Sequence, residues 1–585
     1  MTAFSWVQVA LCMALLVGFA LPLGRYMAAV YDGRRTWLHR VFGPVERGMY
    51  RVAGVDPERE MTWRQYAIAA LASQVVALIG LYAMLRMQHL LPLNPDGQGE
   101  VSPKLAFNTA VSFVTNTNWQ AYGGETTLSY FSQMVGLAVQ NFFSAAFGMA
   151  LLVAVIRGFT RHNATTLGNY WVDLTRSLLY VLLPLALVVA LLLAWQGVPQ
   201  TFDGKASAAA LDPTAQGADT QDIARGPVAS QVAIKQLGTN GGGFYNVNSS
   251  HPLENPTPLS NLVQWLSILL IPAAVCFMFG RMVKDRRQGV ALFVTMTVLF
   301  VVAVALCGAA EQAGNPALRN LDGNGADDTA SEQQAGGNME GKEVRNGIGS
   351  SVLWATATTA ASNGSVNSMH DSYTPLGGLV PTTLMLLGEI IYGGVGSGLY
   401  GMLAVVILAV FIAGLMIGRT PEYLGKKIEP FEMKMAVLAI IVPAVFVLLG
   451  VAIAVMLPEA LDTRTNKAIN GGTAMHGLSE ILYAFASASN NNGSAFAGLG
   501  VDTDFYDPAL GICMLAGRYW VAIPLLAIAG SLARKKQVPV SPGTLPTHTP
   551  TFVIFLLCVI VLIGALTFLP LFALGPIAEH LALTS

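Results

Sequence analysis

Four short polar strips interrupt an otherwise apolar chain: VTNTNWQ at 114–120, LGTNGGG at 237–243, AASNGSV at 360–366 and SNNNGSA at 489–495. The donors they offer are backbone carbonyls and the neutral oxygens of Asn, Thr and Ser, a set able to replace the hydration shell of a hard monovalent cation. Divalent cations usually recruit carboxylates, and none of the strips contains one. Setting Asn118, Asn240, Asn363 and Asn492 in register gives intervals of 122, 123 and 129 residues, with Gly following the last three. Such a near-constant period marks an internal fourfold repeat. One strip alone reads as a flexible turn; four in equivalent places read as a ring. Gly241, Gly242, Gly243, Gly364 and Gly493 allow φ values closed to other residues, which lets consecutive carbonyls face one ligand.

Each strip follows a short apolar segment, at 102–114, 227–237, 347–358 and 476–487. These are too short to cross a bilayer core but suit re-entrant helices. Runs of the spanning length, about 20 residues, occur near 3–23, 65–87, 131–156, 177–195, 258–280, 289–308, 379–417, 435–457, 508–533 and 551–574. The reading is therefore an all-α membrane protein of ten spans. Span, half-helix, strip and span recur in 65–156, 157–280, 281–417 and 418–533, flanked by a first span with a basic loop (1–64) and a linker with a last span (534–585). Non-helical backbone at membrane depth is tolerated only inside protein or beside a water-filled cavity, so the strips must meet around an axis. The C-terminal end of each half-helix, carrying roughly −0.5 of a charge, would then face the cation.

Composition agrees with a membrane setting. Of 585 residues, 53% are hydrophobic and 11% charged, with mean hydropathy +0.53, whereas soluble domains carry about 25% charged residues. A net charge of −1 argues against a nucleic-acid partner. Cys12, Cys276, Cys307, Cys513 and Cys558 sit in apolar stretches at no metal-ligand spacing, as inert fillers do. The run at 3–23 has no Lys or Arg before it, while Arg25, Arg34, Arg35 and Arg40 follow. A signal peptide has the opposite order, so this is read as a retained span with its N-terminus outside. On that reading, loops 25–64, 157–176, 281–287, 419–434 and 534–536 hold 22 of the 33 Lys and Arg. The bias makes them cytoplasmic and places both termini extracytoplasmic. The outer loops carry Asp203, Asp212, Asp219, Asp222, Asp322, Asp327, Asp328, Glu332, Glu340 and Glu343, which could concentrate cations at the mouth.

Inside the spans, Arg518 would sit beneath the ring, where a fixed positive charge limits ion occupancy or leak. Glu389 precedes, and Ser397 lies within, the interruption Gly393 to Gly398 of the overlong run 379–417, a broken helix suited to a gate or side passage. The chain has no GxxxxGK[ST] phosphate loop and no DKTG phosphorylation sequence. Its longest cytoplasmic stretch, 25–64, is too short for a catalytic domain. It is expected to be no enzyme on its own and to use no organic cofactor. The residues alone leave open an ATP-driven pump subunit, an autonomous potassium channel or symporter, and a membrane scaffold.

Longer stretches carry a resemblance: TNTNWQAYGGE (115–125), GTNGGGFYNVNSSHPLENPTP (238–258), TTAASNGSVNSMHDSYTPLGG (358–378), GEIIYGGVGSGLYGM (388–402), GRTPEYLGKKIE (418–429) and SASNNNGSAFAG (487–498). Over essentially its whole length the chain resembles the potassium-binding A subunit (KdpA) family of bacterial Kdp potassium-transporting ATPases. The resemblance implies four span-pore-span repeats like those of potassium channels, with one extra helix at each end. It implies a bacterial inner-membrane pump in which KdpB hydrolyses ATP while KdpC and KdpF support the assembly. Potassium, as substrate, would enter a filter from outside and pass sideways through an intersubunit tunnel. By the same resemblance the filter residues are Asn116, Thr117, Asn118, Gln120, Thr239, Asn240, Gly241, Ser362, Asn363, Gly364, Asn491, Asn492 and Gly493. Glu389, Ser397 and Arg518 fall at the gate or tunnel.

Overall fold

The computed structural model describes residues 2–210, 220–315, 336–418, 420–465, 475–539 and 544–584. Among them, ten helices are long and apolar enough to cross a membrane: Ala3–Tyr31, Trp63–Arg86, Ser132–Thr160, Tyr170–Trp195, Pro258–Met282, Arg286–Gln312, Ser397–Met416, Pro430–Ala454, Tyr506–Arg534 and Pro550–Leu583. The chain is thus a multi-pass, all-helical membrane protein, as the hydropathy pattern predicts; its described strands form only three two-stranded pairings. Side-chain caps set several starts. Thr62 with Gln65 and Thr257 with Ser260 make reciprocal capping boxes, and Thr549 accepts from the Phe552 N–H.

The four expected re-entrant segments are helices Pro103–Val114, Val228–Leu237, Gly347–Ala360 and Met475–Ser489. Ser102 caps the first, with Pro103 at the helix start, where its missing N–H costs nothing. Each ends where a polar strip begins. The run at 379–417 is not one span: it resolves into Pro375–Leu386, a non-helical segment at 387–396, and Ser397–Ile417. The fourth span begins at Tyr170, inside what composition marks as a loop reaching 176. Its charges are neutralised within the protein, for Asp173 takes the Arg157 guanidinium at 2.5 and 2.9 Å and the Tyr66 hydroxyl at 3.0 Å. A forked ion pair of this kind lets a helix carry charge near the membrane boundary. The last span runs on past 574 through a π-helical turn, Ala573–Ile577, into Ala578–Thr584.

Burial sorts the spans into two layers. The helices that follow the strips (Ser132–Thr160, Pro258–Met282, Ser397–Met416, Tyr506–Arg534) are 61–83% buried over their apolar windows. Those that precede the pore helices (Trp63–Arg86, Tyr170–Trp195, Arg286–Gln312, Pro430–Ala454) are 28–44% buried. Inner and outer helices therefore alternate in sequence four times, and the strips hang from the inner layer. The first span packs on an inner helix through Gly24, where an added Cβ would lie 2.9 Å from Phe277 Cβ. Close approach through small residues is how helices associate without a hydrophobic drive between them. Gly24→Leu is expected to cost about 1–3 kcal/mol by overpacking and to lower the unfolding temperature of the detergent-solubilised complex. Gly18→Leu, which faces open space, should leave it unchanged.

Candidate ion-binding site

The pore helices hand their last carbonyls to the strips. The N–H groups of Thr117, Asn240, Asn363 and Asn492 donate to the carbonyls of Ser112, Lys235, Thr358 and Ser487 at 2.9, 2.9, 3.0 and 2.9 Å. On either side of these four residues the backbone is left-handed: φ is +67° at Asn116 and +53° at Asn118, +47° at Thr239 and +75° at Gly241, +54° at Ser362 and +90° at Gly364, +59° at Asn491 and +100° at Gly493. The structural register therefore aligns Thr117, not Asn118, with Asn240, Asn363 and Asn492. The letter match is one residue out in the first strip, because backbone handedness and helix-end bonding, not the Asn side chain, are what repeat. Asn118 occupies the place of three glycines, which Asn tolerates better than other side chains with a Cβ. In such left-right alternation successive N–H groups converge on one face, which leaves the carbonyls to the other.

The strips neighbour one another in closed order. Asn118 Nδ2 donates to Gly241 O at 3.2 Å. A Cβ added at Gly241 would strike Asn363 O, one at Gly364 would strike Asn492 O, and one at Gly493 would strike Thr117 O. Thr117, Asn240, Asn363 and Asn492 are fully buried, and among the described residues no donor reaches their backbone oxygens. Buried carbonyls are nearly always partnered, so four such oxygens at one level of a fourfold ring form a cation-seeking arrangement.

The side chains brace this ring more than they face it. Asn363 Oδ1 accepts from Ser365 N and Oγ at 3.0 and 2.5 Å, and Asn492 Oδ1 from Ser494 N and Oγ at 3.1 and 2.6 Å. Their amides reach back to the preceding pore helix, at Lys235 O (3.1 Å) and Thr358 O (3.0 Å). Asn116 donates to Thr239 O at 2.9 Å, Ser362 to Asn491 O at 2.8 Å, and Asn491 to Thr117 Oγ1 at 2.9 Å. Gln120 clamps Gly243 at both its N–H (2.8 Å) and its carbonyl (2.9 Å). Asn118 Oδ1 and Asn240 Oδ1 are buried with no donor among the described residues.

On one side of the ring opens a vestibule of about 1110 Å³, floored by Asn118, Gly242, Gly364 and Gly493 from all four strips. Burial first, and the Lys342 ammonium second, push His370 at its wall down to about 3. The imidazole stays neutral and shares a 2.8 Å hydrogen bond with the Tyr483 hydroxyl. Of the acids expected to draw cations, Glu343 lines the vestibule, but Asp203, Asp222 and Glu340 do not. Asp212, Asp219, Asp322, Asp327, Asp328 and Glu332 lie outside the described residues. On the other side a cavity of about 110 Å³ brings together Glu389, Ser397 and Arg518 with Ser362 and Asn491, and reaches Gly564 and Phe568 of the last span. The broken segment runs directly beneath the ring. Val395 N donates to Thr239 Oγ1 at 2.8 Å, and Glu389 Oε1 accepts from Asn492 Nδ2 at 2.6 Å. Arg518 donates to Ser144 O at 2.9 Å and lies 5.3 Å from the Phe147 ring centre.

Residues 10–581 match the family described as "KdpA: Potassium-transporting ATPase A subunit". The chain belongs to that family. Among A-subunit relatives, the potassium-transporting ATPase potassium-binding subunit of Sorangium cellulosum is 62% identical over all of both chains, and that of Herpetosiphon aurantiacus 58% over all of both. The structure of the potassium transporter TrkH from Vibrio parahaemolyticus aligns with 89% of this chain and 97% of its own at 14% identity and a TM-score of 0.49.

In this A-subunit chain several positioning residues escape a reading of the strips. Asn141 and Ser144, on the inner helix after strip 1, hold Asn118 Nδ2 (2.7 Å) and Asn116 Oδ1 (2.8 Å). Lys235, inside the second pore helix, is fully buried, pairs with buried Glu254, and donates to Gly242 O at 2.8 Å. An ionisable residue in an apolar segment is the signal that points to it. Removing one partner of a buried pair strands the other charge, at about 3–5 kcal/mol. Lys235→Met is therefore expected to lower the unfolding temperature of the complex sharply, and Lys235→Met with Glu254→Gln to recover much of the loss.

Proposed function

We propose that this chain is the potassium-binding and translocating subunit of an ATP-driven uptake pump. The observation that carries the reading is the ring of buried carbonyls at Thr117, Asn240, Asn363 and Asn492, which no described protein donor reaches. A desolvated monovalent cation on the axis satisfies these oxygens without any carboxylate. Asn116, Asn118, Thr239, Gly241, Ser362, Gly364, Asn491 and Gly493 complete the filter above and below, and Gln120 fixes the outer end of the second strip. Potassium is the cargo rather than a resident cofactor, and no organic cofactor is needed. The names of the relatives support this assignment of the ion.

From the filter the cation descends to the cavity at Glu389, Ser397 and Arg518. Arg518 opposes its passage straight through by charge repulsion, and the opening toward the last span offers a sideways route. That route leads to a separate ATPase subunit, KdpB, with KdpC and KdpF in the same assembly; this chain's sequence carries neither a GxxxxGK[ST] phosphate loop nor a DKTG phosphorylation sequence. The excess of Lys and Arg in the opposite loops supports a vestibule on the extracytoplasmic side of a bacterial inner membrane, with both termini on that side. The repeats run 65–156, 157–280, 281–417 and 418–533, between a first segment, 1–64, and a last, 534–585.

The test is potassium-stimulated ATP hydrolysis by the complex that co-purifies with this chain, compared with Gly241→Asp. Gly241 has φ +75° and no room for a Cβ against Asn363 O. The substitution is expected to raise the potassium needed for half-activation by about tenfold or more, a loss of at least ~1.4 kcal/mol, or to admit sodium. Unchanged potassium preference would refute the filter assignment. Potassium conduction by the isolated chain in liposomes, with no ATPase co-purifying, would refute the pump.

A further inference from the structure

Away from the ring, Asp371, His476 and Glu480 each offer a ligand atom, all within 4.8 Å of one another. They come from two elements. His476 and Glu480 stand four residues apart on the fourth pore helix, hence on one face, and Asp371 belongs to the turn His370–Ser372 that follows the third strip. His476 Nε2 lies 3.1 Å from Asp371 Oδ1, and its Nδ1 lies 2.7 Å from Glu579 Oε1 on the terminal helix. Asp371 is held in turn, its Oδ2 accepting from Gly498 N at 3.0 Å. A histidine whose Nδ1–H is oriented by one carboxylate while Nε2 faces another is the arrangement that metal-ligating histidines use. Glu579 Oε2 has no donor among the described residues, and a cavity of about 10 Å³ borders His476 and Glu579. That is room for one water.

We propose that Asp371, His476 and Glu480 form a binding site for a divalent transition-metal ion, with Glu579 orienting the imidazole. One nitrogen and two carboxylate oxygens suit Zn²⁺, with water completing the tetrahedron. Ligand atoms about 2.1 Å from a shared ion lie about 3–4 Å apart, so a small side-chain adjustment closes the set. Three carboxylates crowd one imidazole here, an arrangement that favours positive charge among them. The ion would tie the terminal helix, the fourth pore helix and the turn after strip 3 together. The His476 side chain is 17% exposed.

The test uses the intact complex stripped with chelator and titrated with Zn²⁺ alone. The wild type is expected to retain one more Zn²⁺ per A subunit than His476→Gln or Asp371→Asn. X-ray absorption should show mixed nitrogen and oxygen ligation at about 2.0–2.1 Å. Glu579→Gln, which keeps the shape and weakens only the orienting bond, is expected to bind about 10–100-fold more weakly. Variants that fail to assemble are replaced by Asp371→Asn with His476→Asn, read on the fraction that does assemble. Equal Zn²⁺ stoichiometry in the wild type and the variants would overturn the proposal and leave the cluster as a protonated-histidine clamp. Loss of Zn²⁺ in the His476 variant with no change in Glu579→Gln would overturn the role of Glu579.

Discussion

A peptide oxygen sealed from water must be given a partner, and the rest of the structure follows from applying that demand four times at one level. The carbonyls of Thr117, Asn240, Asn363 and Asn492 are fully buried and beyond the reach of any described donor. Each belongs to a residue whose own N–H is tied to the end of a pore helix, so the helix sets the height of the ring. The same helix end brings a partial negative charge to it. Bare carbonyls at the ends of four helix dipoles repel one another, and only braces from outside the ring can hold them in place.

Those braces come from unlike sources. Glycine at 241, 364 and 493 admits the neighbouring strip's carbonyl where a Cβ would collide. Asparagine side chains knit strips 3 and 4 to their own serines and to the pore helix behind each. Lys235 and Glu254 draw the Gly242 carbonyl outward, and Gln120 clamps Gly243. From below, Val395 and Glu389 of the broken segment bond to strips 2 and 4. The break and the ring therefore form one hydrogen-bonded body. A change in the segment at 387–396 has a direct route to the strips, and the cavity beneath is lined by residues that also support them.

Much of this was legible in the letters. Span number, pore-helix position and the interrupted helix follow from apolar run lengths and from Gly393 to Gly398, because membrane depth permits few alternatives. The resemblance supplied the filter residues, and the structure groups Glu389, Ser397 and Arg518 around one cavity. The register of the first strip was not legible: Asn118 looks like Asn240 to the eye, whereas handedness pairs it with Gly241. Nor was the work of the asparagines, whose oxygens were expected to face the ion and instead are largely spent on serines. Asn141, Ser144, Lys235 and Glu254 act on the strips across distances in sequence that no local pattern records. The fourth span's early start depends on Asp173 meeting Arg157, a pairing that composition alone counts as two loop charges.

The central claim is that a dehydrated monovalent cation sits among the four carbonyls. The most direct measurement is an experimental structure of the intact complex with Tl⁺ replacing K⁺, in which the heavy ion locates itself by anomalous scattering. The account predicts a peak on the axis, in contact with the oxygens of Thr117, Asn240, Asn363 and Asn492, that disappears when sodium replaces thallium. Absence of density at that level, with Tl⁺ found only in the vestibule or only at Glu389, would contradict it.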